Sequence, residues 1–73
     1  GVIVLLYEKE VKLYVADYKT DRFVPEDSST LQRTYGHQAR IYTEAVRRSL
    51  HRVPIFQLIF LRTAKSVVVP VEF

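Results

Sequence analysis

The chain has no cysteine among its 73 residues. That excludes a disulfide framework, thiolate zinc sites and a cysteine nucleophile, and it sits easily with a reducing cytosol. No apolar run approaches the roughly 20 residues a membrane span requires, and no basic region precedes an apolar core at the start. No membrane partner is therefore expected. An initiator methionine is also missing: the sequence opens on Gly1 inside what reads as a strand, so a piece of a longer polypeptide is expected. Acidic residues are scarce over one long stretch. From Arg33 to Lys65 the only one is Glu44, against Arg33, Arg40, Arg47, Arg48, Arg52, Arg62 and Lys65. Such a basic half suits an anionic partner such as nucleic acid, although arginines on a solvated helix face would look the same.

An apolar fraction of 48% is ordinary for a globular protein and speaks against disorder. At this length the chain makes one small domain, residues 1–73, burying only about 60% of the surface its unfolded form exposes. Val2 to Tyr7 is β-rich with little alternation, which predicts a strand covered on both faces. After the polar break Glu8-Lys9-Glu10, Val11 to Tyr18 resumes as a strand, giving an antiparallel hairpin whose register stays open. Ser29 to Gln32 has capping-box spacing, with Glu26 and Asp27 placed where a helix start favours negative charge. A helix follows to His51, its apolar stripe falling at Leu31, Tyr35, Gln38, Tyr42, Ala45, Val46 and Leu50. Gly36 should weaken that helix by about 1 kcal/mol. Ile55 to Leu61 reads as a central strand buried on both faces, and Ser66 to Glu72 as an edge strand because Pro70 cannot donate to a ladder. The expected fold class is α/β (α+β): a mixed β-sheet in the order β-β-α-β-β, with one long crossover helix and one parallel strand pair.

The most informative segment is Asp17-Tyr18-Lys19-Thr20-Asp21. Val11, Leu13, Val15, Asp17 and Lys19 fall two apart, so an extended backbone sets them on one side of a sheet. A carboxylate and an ammonium then stand side by side, roughly 7 Å apart along the strand. A carboxylate can hold a divalent cation, and a neighbouring lysine can meet a phosphate or help activate water. An exposed ion pair of little energetic weight is the alternative. Gln38 is the second informative residue, because it stands in the apolar stripe where leucine is expected. A buried amide without partners costs about 1–3 kcal/mol, so a polar object nearby is implied. Tyr42 shares its side of the helix. Sheet backbone could satisfy Gln38 equally well, with Tyr42 plain core.

Together, Gly1 to Glu8, Val15 to Asp21, Gln38 with Tyr42 at Q-x-x-x-Y spacing, and Phe60-Leu61-Arg62-Thr63 resemble the RecB-like nuclease domain. This is the branch of the PD-(D/E)XK superfamily at the C-terminus of bacterial RecB- and AddA-type helicase–nucleases, and the resemblance runs over nearly the whole chain. It implies a restriction-endonuclease-like core fragment, a cytoplasmic bacterial setting, and a role in DNA repair and recombination. DNA and the remainder of a parent helicase–nuclease polypeptide, or its partner subunit, would be the partners. By the same resemblance Asp17 and the backbone carbonyl of Tyr18 are metal ligands for Mg2+ or Mn2+, and Lys19 is the catalytic lysine. Gln38 and Tyr42 flank the site and engage DNA. On charge alone, apart from the resemblance, Arg33, Arg40 and Arg47 would contact phosphates in a DNA-binding module.

One departure decides what to expect of activity. The family's first strand reads G-x-I-D-L-L, its aspartate a metal ligand, and that position here is Val4, which offers no oxygen. Upstream helical sequence that often supplies a histidine also lies outside this chain. The metal should then be held weakly if at all, and magnesium-dependent deoxyribonuclease activity impaired. Asp21 is a conceivable substitute ligand. The alternatives are a non-catalytic DNA-binding module and an interdomain structural module whose bared apolar surface drives association. His37 and His51 read as helix surface, and Thr20 and Ser28 lack a histidine base.

Overall fold

The computed structural model describes residues 3–20, 24–25 and 27–71. Its elements are β1 (Ile3–Lys9), β2 (Lys12–Lys19), α1 (Ser28–Leu50), β3 (Ile55–Phe60) and β4 (Lys65–Val69). They form a small α+β unit: one mixed four-stranded sheet, strands in the order β1-β2-β3-β4, and one helix. β1 pairs antiparallel with β2, β2 parallel with β3, and β3 antiparallel with β4. A parallel neighbour cannot be reached by a tight turn, so α1 makes the crossover from β2 to β3.

The hairpin register runs from Ile3 opposite Tyr18 to Lys9 opposite Lys12. Only Glu10 and Val11 are left for the turn, with φ of 52° and 68°. Positive φ at both central residues is the signature of a type I′ turn, which matches the twist of the flanking strands. Val11, expected in the strand, is thus a turn residue, and it is 84% exposed. A β-branched residue in left-handed backbone costs about 1–2 kcal/mol. Arg52, just past the helix, holds this turn: its Nη2 donates to the Val11 carbonyl at 3.0 Å and its Nη1 meets Glu8 at 3.4 Å.

The helix starts two residues earlier than a capping box at Ser29 requires. Asp27 is the N-cap, its extended backbone (φ −100°, ψ 151°) letting the side chain accept from the Thr30 amide at 2.6 Å. A carboxylate does this better than a hydroxyl because it also meets the positive end of the helix dipole. That amide bond, with further bonds from the Thr30 and Ser29 hydroxyls, holds Asp27 below the usual carboxylate range. At the other end His51 adopts left-handed backbone (φ 57°) and its N–H bonds the Arg47 carbonyl at 2.8 Å.

Packing departs from expectation on the sheet's outer face. α1 lies against β3 and β4, and beneath it sit Val15, Phe56, Leu58, Phe60 and Val69 with Leu31, Tyr35 and Ala39 from the helix. The buried helical positions are Leu31, Tyr35, Ala39 and Thr43, an i, i+4 row. The stripe is therefore centred on Ala39 and Thr43, while Ala45 and Leu50 are exposed. β3 shows strict alternation, Phe56, Leu58 and Phe60 buried and Ile55, Gln57 and Ile59 half-buried. The expected two-sided burial fails because a single helix covers only one face. β1 departs further, with Val4, Leu5 and Leu6 exposed by 37%, 45% and 45%, since the helix does not reach across to that edge. β4 takes the opposite edge, as Pro70 predicts, and the strand stops at Val69. Val2, Glu26 and Glu72 lie outside the described residues.

Candidate functional site

β2 alternates as its spacing demands. Leu13, Val15, Asp17 and Lys19 share the helix side, while Tyr14, Ala16 and Tyr18 lie on the other face, where Ala16 is nonetheless buried. Asp17 is level with Leu58 on one side and Val4 on the other, so an acid sits in the middle of the apolar layer. It is wholly buried, with 0% exposure. The exposed-ion-pair alternative is thereby excluded. Lys19 follows at the carboxyl end of the strand, where its carbonyl accepts from the Leu61 amide at 2.9 Å. In open sheets with parallel strands, ligands collect at these carboxyl ends.

Three side chains meet here. Lys19 Nζ lies 3.2 Å from Asp17 Oδ2 and donates to Gln38 Oε1 at 3.1 Å. The same ammonium stands 5.4 Å from the centroid of the Tyr35 ring, a cation–π distance. Lys19 thus has a carboxylate, an amide and an aromatic face around it, while 19% of its side chain stays open to solvent. The ammonium is close enough for an ion pair with Asp17, yet among the described residues neither carboxylate oxygen has a hydrogen-bond partner. A buried carboxylate with so few partners is costly to the folded state. Thr43 is the other buried polar residue whose side-chain oxygen has no partner among the described residues. Its helical row is in the sequence, but nothing there marks the hydroxyl as orphaned.

The predicted residues divide. Asp17, Lys19 and Gln38 come together, and among the described residues Gln38 bonds the lysine through its Oε1 rather than sheet backbone. Tyr42 stacks on Phe56 at 6.2 Å between centroids and 15° between planes, and it borders the core. Among the described residues it makes no bond to Asp17, Lys19 or Gln38. Tyr35, read as core from its spacing, is the aromatic that actually approaches the lysine, and it also packs edge-on against Phe60 at 6.3 Å. Its position one turn before Gln38 was the available signal. Tyr18 is a ladder residue opposite Ile3 and Ile59, so its carbonyl lies in the plane of the sheet. Asp21 is outside the described residues.

A divalent cation is not well served by this donor set. Magnesium takes oxygen ligands in octahedral geometry, commonly from one or two carboxylates plus water and phosphate. Here Asp17 is one carboxylate, the residue facing it across the hairpin is Val4, and the nearest positive charge is the chain's own Lys19 ammonium. Among the described residues no group of three or more His, Asp or Glu side chains gathers to hold a metal.

Arg33, Arg40 and Arg47 are exposed along the helix, seven residues apart. Arg47 and Arg48 both bond Glu44, at 3.1 Å from Arg47 Nε and 3.0 Å from Arg48 Nε. Those bonds, that of Arg47 first, pull the Glu44 carboxyl down to about 2, and Glu44 in turn raises Arg47. Arg33 and Arg40 make no ion pair among the described residues. His37 is exposed on the helix, and among those residues no helix is long and apolar enough to cross a membrane. Comparison with protein-family models, curated proteins and solved structures gives no match to this chain.

Proposed function

We propose that this chain is the core of a RecB-like nuclease module, part of a DNA-processing helicase–nuclease, whose hydrolytic centre has been reduced to Asp17, Lys19 and Gln38. The observation that carries the reading is the buried Asp17 carboxylate, without a hydrogen-bond partner among the described residues, beside a lysine that donates to Gln38. Stability alone does not favour such an arrangement, because a buried ion pair usually breaks even at best against apolar side chains. A centre that once met phosphate and a cation accounts for it. The register supports the same ancestry, since Val4 stands opposite Asp17 where a second carboxylate would share a cation with the first.

The ancestral reaction is magnesium- or manganese-dependent hydrolysis of a DNA phosphodiester. In this chain Lys19 is the residue to meet a phosphate oxygen, Gln38 orients it, and Tyr35 backs its positive charge. With valine in the facing position, any metal is held weakly and hydrolysis is impaired. DNA contact falls to Lys19 and to the exposed Arg33 and Arg40, with Arg47 shared with Glu44. A bacterial cytoplasmic setting and a parent polypeptide belong to the same reading.

The test is binding and cleavage of single- and double-stranded DNA in magnesium or manganese, with the salt concentration varied. Binding should weaken steeply with salt, with a logarithmic slope of roughly −0.7 to −0.9 per phosphate contacted. Cleavage should be slight and lost in Lys19→Ala. Cleavage that survives Lys19→Ala, or no DNA binding at low salt, would defeat the reading. DNA binding without any cleavage favours the second reading, a non-catalytic DNA-binding module, for which Val4 is the specific observation.

A further inference from the structure

The sheet has two edges, and they are treated differently. β4 is five residues long, carries exposed Lys65 and Ser66, and runs into Pro70, whose carbonyl accepts from the Gln32 side chain. Short length, lysine and proline are the devices that keep an edge from pairing. β1 has none of these at its centre. It is seven residues long, has no proline, and exposes Val4, Leu5 and Leu6 in succession, so apolar side chains emerge on both faces.

The ladder also fixes which backbone groups look outward. The Lys19 carbonyl bonds Leu61, so it points to β3. Successive residues alternate, so Tyr18 turns to β1 and pairs with Ile3. The same holds for Leu5 with Ala16, Tyr7 with Tyr14, and Lys9 with Lys12, as a two-residue hairpin requires. Val4, Leu6 and Glu8 therefore turn their N–H and C=O groups away from the sheet.

The geometry points to β1 as a pairing edge for a second copy of this chain, joined antiparallel about a two-fold axis at Leu6. In that register Leu6 faces Leu6 of the other copy, and Val4 faces Glu8 in both directions. Every outward group of Val4, Leu6 and Glu8 gains a partner, six hydrogen bonds in all by the alternation of the ladder. Leu5 falls opposite Tyr7 and Lys9 opposite Ile3, so no like charges meet. α1 packs over β3 and β4 and leaves the approach to β1 clear. The self-complementarity is what selects a second copy over an arbitrary extended peptide.

The experiment is sedimentation equilibrium of the 73-residue chain and of Leu6→Lys and Leu6→Glu, alone and mixed. The native chain should move from 8.6 kDa toward twice that mass as concentration rises to the millimolar range. Each variant should stay monomeric, because like charges would face each other across the axis. Mixing the two should restore the dimer, a result that misfolded variants cannot give. Amide exchange at Val4, Leu6 and Glu8 should slow with concentration in the native chain. A native chain that stays monomeric at millimolar concentration overturns the proposal. So do single variants that still associate, which would move the contact to the sheet's outer face, and a mixture that fails to pair although both variants retain native circular dichroism.

Discussion

Replacing Val4 by aspartate puts a second carboxylate directly across the hairpin from Asp17. The two form a non-hydrogen-bonded pair, with Cβ atoms about 4.5–5.5 Å apart. At an effective dielectric of about 20, unit charges roughly 5 Å apart repel by about 3 kcal/mol. Lys19, 3.2 Å from Asp17, and the partial exposure of position 4 offset part of this, leaving a net loss of about 1–2 kcal/mol without metal. A divalent cation held between the carboxylates reverses the sign. At a hundred times its dissociation constant it stabilises the folded form by about 2.7 kcal/mol. For a domain of this size that raises the melting temperature by about 10–20 °C. The assay is thermal unfolding of native chain and Val4→Asp with and without magnesium or manganese. The expected outcome is a lowered melting point that metal restores in the variant, with little response in the native chain. A shift that persists when Asp17→Asn is added, or no metal response at all, would refute the shared-cation geometry.

Removing the lysine should be expensive, since Lys19→Ala strands a buried carboxylate and should cost about 3–5 kcal/mol. The double variant Asp17→Leu with Lys19→Leu should recover most of that loss in a denaturant titration, and failure to recover would show that packing rather than charge governs the site. Val11→Gly relieves the left-handed backbone at φ 68° and should stabilise the hairpin by about 1 kcal/mol; an unchanged or lower denaturation midpoint would contradict a strained turn. Glu44 has its folded value depressed to about 2 from an ordinary 4.5. Its contribution is therefore complete above pH 4.5 and lost as pH falls through about 2. Asp27, also depressed, adds to the same acid limb. Melting temperature followed from pH 5 downward should fall less steeply in Glu44→Gln than in the native chain, and identical slopes would remove Glu44 from the account.

Period-two spacing from Leu13 to Lys19 was enough to put the acid and the base on one face, because side-chain direction in a strand depends only on the parity of the residue number. The helical period likewise placed Gln38 on the sheet side, and Pro70 marked the edge. The lack of cysteine settled which nucleophile and zinc chemistries were out of reach. These are local properties, legible in a string of letters. The depth of Asp17 was not legible, since burial depends on what another element places over it. Neither was the choice of Tyr35 over Tyr42 beside Lys19, which turns on the rotation of α1 about its own axis by a fraction of a turn. The apolar runs of β1 and β3 predicted two covered faces, and the fold supplies one helix, which covers one. Composition records how much apolar surface a chain has, but only the arrangement of elements in space decides which part of it is shielded from water.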